Sequence, residues 1–259
     1  MPHSPIAQAP TNTTEGSRHA VTGKTRYTKS LDTSGWLRIR LEPSGESAFV
    51  CEFVKVLITR EGDRTHFLIQ EGRYQGKTAS LGTENANKCL VSARRGSGAM
   101  LTAKIIGRSL ARSEPRGGQV LSQLFATLSF DGKSAKITLD SDVNYVETNR
   151  ASPEFGKRKH STPLPKGTYK ILVPYTSGDA ANTAFYVSAP GGDKDLKYHT
   201  VWFPIEYAAT HNSNFVHVGN LSEGCVTMYQ LNMWNSLYQY LISNRMGKNN
   251  EYVGTITIA

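Results

Sequence analysis

The chain has 259 residues, with 30 Lys and Arg against 21 Asp and Glu, for a formal net charge of +9. At 38% hydrophobic and 20% charged it is composed like a globular protein, and no apolar run is long enough for a membrane-spanning helix, so no membrane insertion is expected. The positive balance fits an anionic polymer, nucleic acid or a carboxylate-rich cell wall; without an RNP-like aromatic pattern or a basic helix, no nucleic-acid partner is expected.

The opening stretch, residues 1–26, is rich in Pro, Thr, Ser and Asn, lacks aromatics, and reads as a flexible tail. It has no apolar h-region, so the expectation is either a cytoplasmic protein or one exported by a route that reads no such leader. From Trp36 the chain alternates short strand-like runs with turn residues: WLRIRLE, FVCEFVKVLITR, THFLIQEG, AMLTAKIIG, LFATLSF and SAKITLD. Asp131-Gly132, between the last two, is a hairpin signal. The polar stretch 109–119, with Pro115 and paired glycines, is a linker or a long hairpin loop. The boundary is drawn there, giving an N-terminal β module of unknown role over 27–112 and a second domain over 119–259.

Beyond the irregular, basic stretch 147–160, the runs KGTYKILVP, TAFYVSAP and KYHTVWFPIEY are again strand-like. Leu231, Trp234, Leu237, Tyr238 and Leu241 recur at helical spacing and predict one helix over about 228–243, stopped near Gly247. The tail YVGTITIA reads as a closing strand. The expected class is mainly β, antiparallel and sandwich-like, with a single helix after the last cysteine.

Three cysteines leave one unpaired if two join. Cys51 and Cys89 sit in strand-like surroundings and read either as buried thiols or as a disulfide. Cys225 lies in 217-HVGNLSEGCVTM-228. A thiol becomes nucleophilic when held as thiolate near a histidine, and its reaction needs backbone N–H groups aimed at the oxyanion. Gly224 permits the sharp turn, Ser222 shapes the loop, and His217 is the nearest histidine, with His211 and His199 in reserve. A helix starting just after Cys225 would favour thiolate through its dipole.

The block H-x4-S-x-G-C-V-T at 217–227, together with 162-TPLPKGTYKI-171, resembles the L,D-transpeptidase catalytic domain: a His, then Ser/Thr-His-Gly-Cys, a hydrophobic residue and Asn. The resemblance covers about 162–228. It implies a β-rich core, Cys225 as nucleophile, His217 as base, and the N–H groups of Gly224 and Cys225 as oxyanion hole. The substrate implied is a peptidoglycan stem peptide attacked at its L,D-linked carbonyl, with no cofactor. The gap from His217 to Cys225 is shorter than the family's, Glu223 stands where the family has His, and Thr227 where it has Asn. In these respects the chain is more similar to the L,D-transpeptidase-like toxins of contact-dependent secretion. That implies action in the periplasm, export components and a cognate immunity protein as partners.

Further site expectations follow. Thr200 to Asn244 holds no Lys or Arg, so a substrate carboxylate needs a cation from elsewhere, with 157-KRKH-160, Lys166 and Lys170 as candidates. Trp202, Tyr207, His211 and Glu223 are candidate substrate contacts. Two rivals stand beside the enzyme: a zinc site from His199, His211, His217 and Cys225, whose spacing matches no familiar motif, and a non-enzymatic β module that binds cell wall or a partner.

Overall fold

A computed structural model describes residues 23–148, 150–207 and 214–259. Residues 1–22 of the expected tail, and His211, lie outside the described residues; the rest of that tail enters the first strand. The N-terminal strands are β1 (Lys24–Thr28), β2 (Trp36–Glu42), β3 (Ser47–Cys51), β4 (Lys55–Arg60), β5 (Arg64–Ile69), β6 (Thr78–Gly82) and β7 (Leu90–Val91). They form one sheet in the order β3-β2-β6-β5-β4-β1-β7. The run FVCEFVKVLITR is broken in two because buried Glu52 and the positive-φ residue Phe53 form a turn between β3 and β4. Cys51 and Cys89 are buried free thiols.

The second sheet uses β8 (Ala99–Ser113), β9 (Gln119–Phe130), β10 (Lys133–Asp140), β13 (Gly167–Leu172), β14 (Phe203–Glu206), β15 (Phe215–Val218), β16 (Val226–Met228) and β17 (Tyr252–Ile258), while β11 (Asn144–Val146) and β12 (Arg158–His160) make a separate hairpin. The molecule is thus mainly β. Its second sheet does not form a sandwich; it closes into a ring, β10-β16-β15-β14-β13-β17-β8-β9. Two pairs within it are parallel, β15 with β16 and β17 with β8.

The sheet boundary falls between Val91 and Ala99, so β8 belongs to the ring and not to a 27–112 module. Stretch 109–119 is the tip of the β8–β9 hairpin, which turns through Glu114–Arg116 and the left-handed Gly117 and Gly118. Asp131 and Gly132 both have positive φ and join β9 to β10 in a tight turn. β17 seats between β13 and β8, and Gly254 is required there: a Cβ would lie 2.1 Å from the Ala99 carbonyl.

Three α-helices occur among the described residues, against the one expected: α1 (Thr83–Cys89), α2 (Phe185–Ser188) and α3 (Trp234–Ser243). The TAFYVSAP run is helical because Asp179 caps the turn before it through the Ala181 N–H, and because Tyr186 can then bury its ring. Helix α3 starts at Trp234, since Val226–Met228 is taken by β16. It sits against the core through Trp234, Leu237, Tyr238, Leu241 and Ile242, all fully buried. One continuous apolar core runs through both sheets.

Candidate active site

Strands β15 and β16 run side by side, with His217 opposite Thr227. Side chains alternate across a strand, so Val216, Val218, Val226 and Met228 fill the core, fully buried. His217 and Thr227 share the other face, and Cys225, two residues before Thr227, falls on it too. Cys225 and His217, 8% and 7% exposed, line one cleft of about 620 Å³.

The ring of His217 is held on three sides. Nδ1 lies 2.9 Å from the Val218 carbonyl, which can only accept, so Nδ1 carries the proton. Nε2 then accepts from the Thr227 hydroxyl at 3.1 Å. The indole of Trp202 stacks on the ring at 4.5 Å. Burial lowers the imidazole to about 4. Burial also pushes the Cys225 thiol up to about 12; the Phe215 backbone N–H offsets part of this, and Glu223 adds to it. Both groups are therefore neutral at pH 7, and no hydrogen bond joins them among the described residues. The helix-dipole expectation fails here, because Cys225 leads into a strand and α3 begins nine residues later.

The 219–225 loop is fixed from below. Gly224 has φ +97, and a Cβ there would come within 2.3 Å of the Thr162 carbonyl. Ser222 donates its hydroxyl to the Cys225 carbonyl (2.7 Å), and Asn214 donates to the Gly224 carbonyl (2.8 Å). The direction of the Cys225 N–H, in the same peptide unit as that Gly224 carbonyl, is thereby set. The Ser222 N–H donates to Ser141 Oγ (2.7 Å), whose own hydroxyl donates to Gln123 Oε1 (2.8 Å). Gln123 also accepts from Thr138 and donates to the Asn220 carbonyl. Asn220 receives the Ser113 hydroxyl and gives its N–H to Tyr186.

The cleft's cation is Arg116, from the β8–β9 tip. Its Nε donates to Gln119 (3.2 Å), and its guanidinium lies over the Phe185 ring. The cations nominated from sequence sit elsewhere: Lys157 pairs with Glu154, Lys159 with Glu147 and Lys170 with Glu206, and none of them lines the cleft. Glu223 and Trp202 do line it. Tyr207 does not; it packs edge-on against Tyr169. His199 also lies outside the cleft lining, with its Nδ1 on Thr183. Among the described residues no three His, Cys, Asp or Glu side chains gather as a metal site.

Comparison of the chain with protein-family models, with curated proteins and with solved structures returns no match. The residues that sequence reasoning missed are Arg116, Asn214, Ser141 and Gln123. Only Asn214 lay close enough in sequence to be found, one residue before the strand that carries His217. Thr227 was visible as a departure from the motif, but its bond to His217 needed the strand register.

Proposed function

We propose that this protein is a peptidoglycan-modifying cysteine enzyme of the L,D-transpeptidase type. In this reading Cys225 attacks the L,D-linked carbonyl of a stem peptide. The observation that carries the reading is the parallel pairing of β15 with β16, which brings His217 and Cys225 to one face and one cleft. Since both groups are neutral beforehand, proton transfer accompanies attack. The sulfur bonds to the carbonyl carbon as the thiol proton passes to His217 Nε2, which Thr227 releases. The N–H groups of Gly224 and Cys225 receive the developing oxyanion. Collapse of the adduct expels the amine, which takes the proton from His217, and leaves a thioester on Cys225. An amine acceptor then gives cross-linking or D-amino-acid exchange; water gives carboxypeptidase activity.

The same reading places the protein in the periplasm of a target cell as an antibacterial effector. Delivery by a contact-dependent secretion system and a cognate immunity partner belong to that proposal, and the net charge of +9 favours adhesion to an anionic wall. The test is mass spectrometry of peptidoglycan fragments incubated with the protein. Cys225→Ala is expected to abolish turnover with folding intact, and His217→Ala to lower the rate by on the order of 10²–10⁴. Full turnover by the Cys225→Ala protein would overturn the cysteine mechanism, and absence of turnover by the unsubstituted protein would leave the non-enzymatic wall-binding module in its place.

A further inference from the structure

Among the described residues, the cleft that holds Cys225 is lined by one basic side chain of the Lys/Arg type, Arg116, and by one carboxylate, Glu223. They come from separate elements, the β8–β9 tip and the 219–225 loop. No ion pair joins them, and Glu223 accepts no hydrogen bond among the described residues. Arg116 is kept on its own wall by the bond to Gln119 and the Phe185 face, with Nη1 3.4 Å from the Tyr186 hydroxyl. Its Nη2 has no partner among the described residues. The two charges nonetheless feel each other: burial raises the Glu223 carboxyl, and Arg116 draws it back.

Two opposite charges, held apart over one cleft, select by repulsion as well as attraction. A ligand bearing only a carboxylate meets Glu223; one bearing only an ammonium meets Arg116. A group that carries both satisfies both walls. We propose that the cleft reads a zwitterionic amino-acid head, with Arg116 taking its carboxylate and Glu223 its ammonium. This rests on the reading of the cleft as the reaction site. It adds what that reading leaves open: the chemistry of the group bound beside the reacting carbonyl.

The proposal is tested by calorimetric titration of the full-length Cys225→Ala protein, which binds without turnover. The probes are alanine, alaninamide, which lacks the carboxylate, and N-acetylalanine, which lacks the ammonium. Each blocked analogue is expected to bind at least about tenfold more weakly than alanine, the loss of one charge-assisted contact. Arg116→Gln is expected to erase the difference between alanine and alaninamide, and Glu223→Gln that between alanine and N-acetylalanine, with unchanged thermal unfolding as the folding control. A 2,6-diaminopimelate acylated on one amine, run beside free alanine, distinguishes a head borne on a peptide from a free amino acid by which binds more tightly. Equal binding of the three alanine probes, or discrimination that survives both substitutions, would overturn the proposal. If discrimination is found while the unsubstituted protein turns over no wall peptide, the charge-pair proposal stands and the peptidoglycan reading fails; the opposite pattern sinks the charge pair alone.

Discussion

The side chains that bond to the 219–225 loop from below are neutral hydroxyls and amides, whereas between the two sheets the buried polar groups are charged. The loop, through Asn220 and Ser222, rests on Ser113, Gln123, Thr138 and Ser141, hydroxyls and an amide that donate and accept in a chain. At the sheet junction lie Glu52, Glu71, Arg94 and Arg245, all nearly inaccessible. Arg94 pairs with Glu71 and donates to the Phe53 carbonyl. Arg245 donates to the Asn244 and Glu52 carbonyls, while Glu52 accepts from Ser30 and from Tyr238 of α3. Neutral networks direct a loop at small desolvation cost. Buried charges are punishing when one partner goes, which makes them suited to holding two sheets in a single arrangement.

The largest expected effect comes from the charged side. Arg94→Met leaves the buried Glu71 carboxylate with the Lys55 N–H as donor and with Arg245, at 4.0 Å, as its remaining paired cation among the described residues, and should cost about 3–5 kcal/mol in urea unfolding. The double variant Arg94→Met/Glu71→Leu should recover much of that loss. A double variant no better than the single one would show that the junction does not depend on charge pairing.

Next is the acid limb. The His217 imidazole is lowered from 6.5 to about 4 by burial. The unfolded chain therefore takes up this proton first, and the stability tied to neutral His217 is present above pH 6.5 and lost as pH falls towards 4. The loss amounts to about 3 kcal/mol. The partly buried His199 and His66, also lowered by desolvation, contribute in the same direction, so the relevant measurement is the difference between the parent and His217→Gln. Parallel pH profiles for the two would remove His217 from the account.

The smallest effect should come from the neutral network. Gln123→Ala strands the Ser141 hydroxyl proton and the Asn220 carbonyl and leaves Thr138 only its longer bond to the Asp140 carbonyl, for about 1–3 kcal/mol. If the proposed function holds, its rate of muropeptide turnover should fall by more than its stability suggests, because Ser141 orients Ser222. Equal losses from Gln123→Ala and Arg94→Met would erase the distinction between the two regions.

Much of the β character was legible, because alternating burial in WLRIRLE or SAKITLD is written locally. What was not legible is pairing between strands distant in sequence. The stretch Ala99–Ser113 looks like the strands before it, yet it pairs with β17 near the other end, and so the boundary was drawn too late. The helix was placed too early because the apolar residues Val226 and Met228 run straight into its periodic face. Cys225 and His217 could be named from one short segment. Arg116 could not, since a hairpin tip carries no mark of the cleft over which it folds.

The seat of β17 between β13 and β8 also bears on how the molecule folds. Ala99 must find Gly254, and neither edge of the open ring is covered until it does. Such a closure between remote segments is slow, since the chain loses loop entropy before the contacts repay it. Until then β8 and β13 present unpaired backbone to any neighbouring chain. The rate at which fresh protein clears this stage, more than its final stability, then sets how much is lost to aggregation.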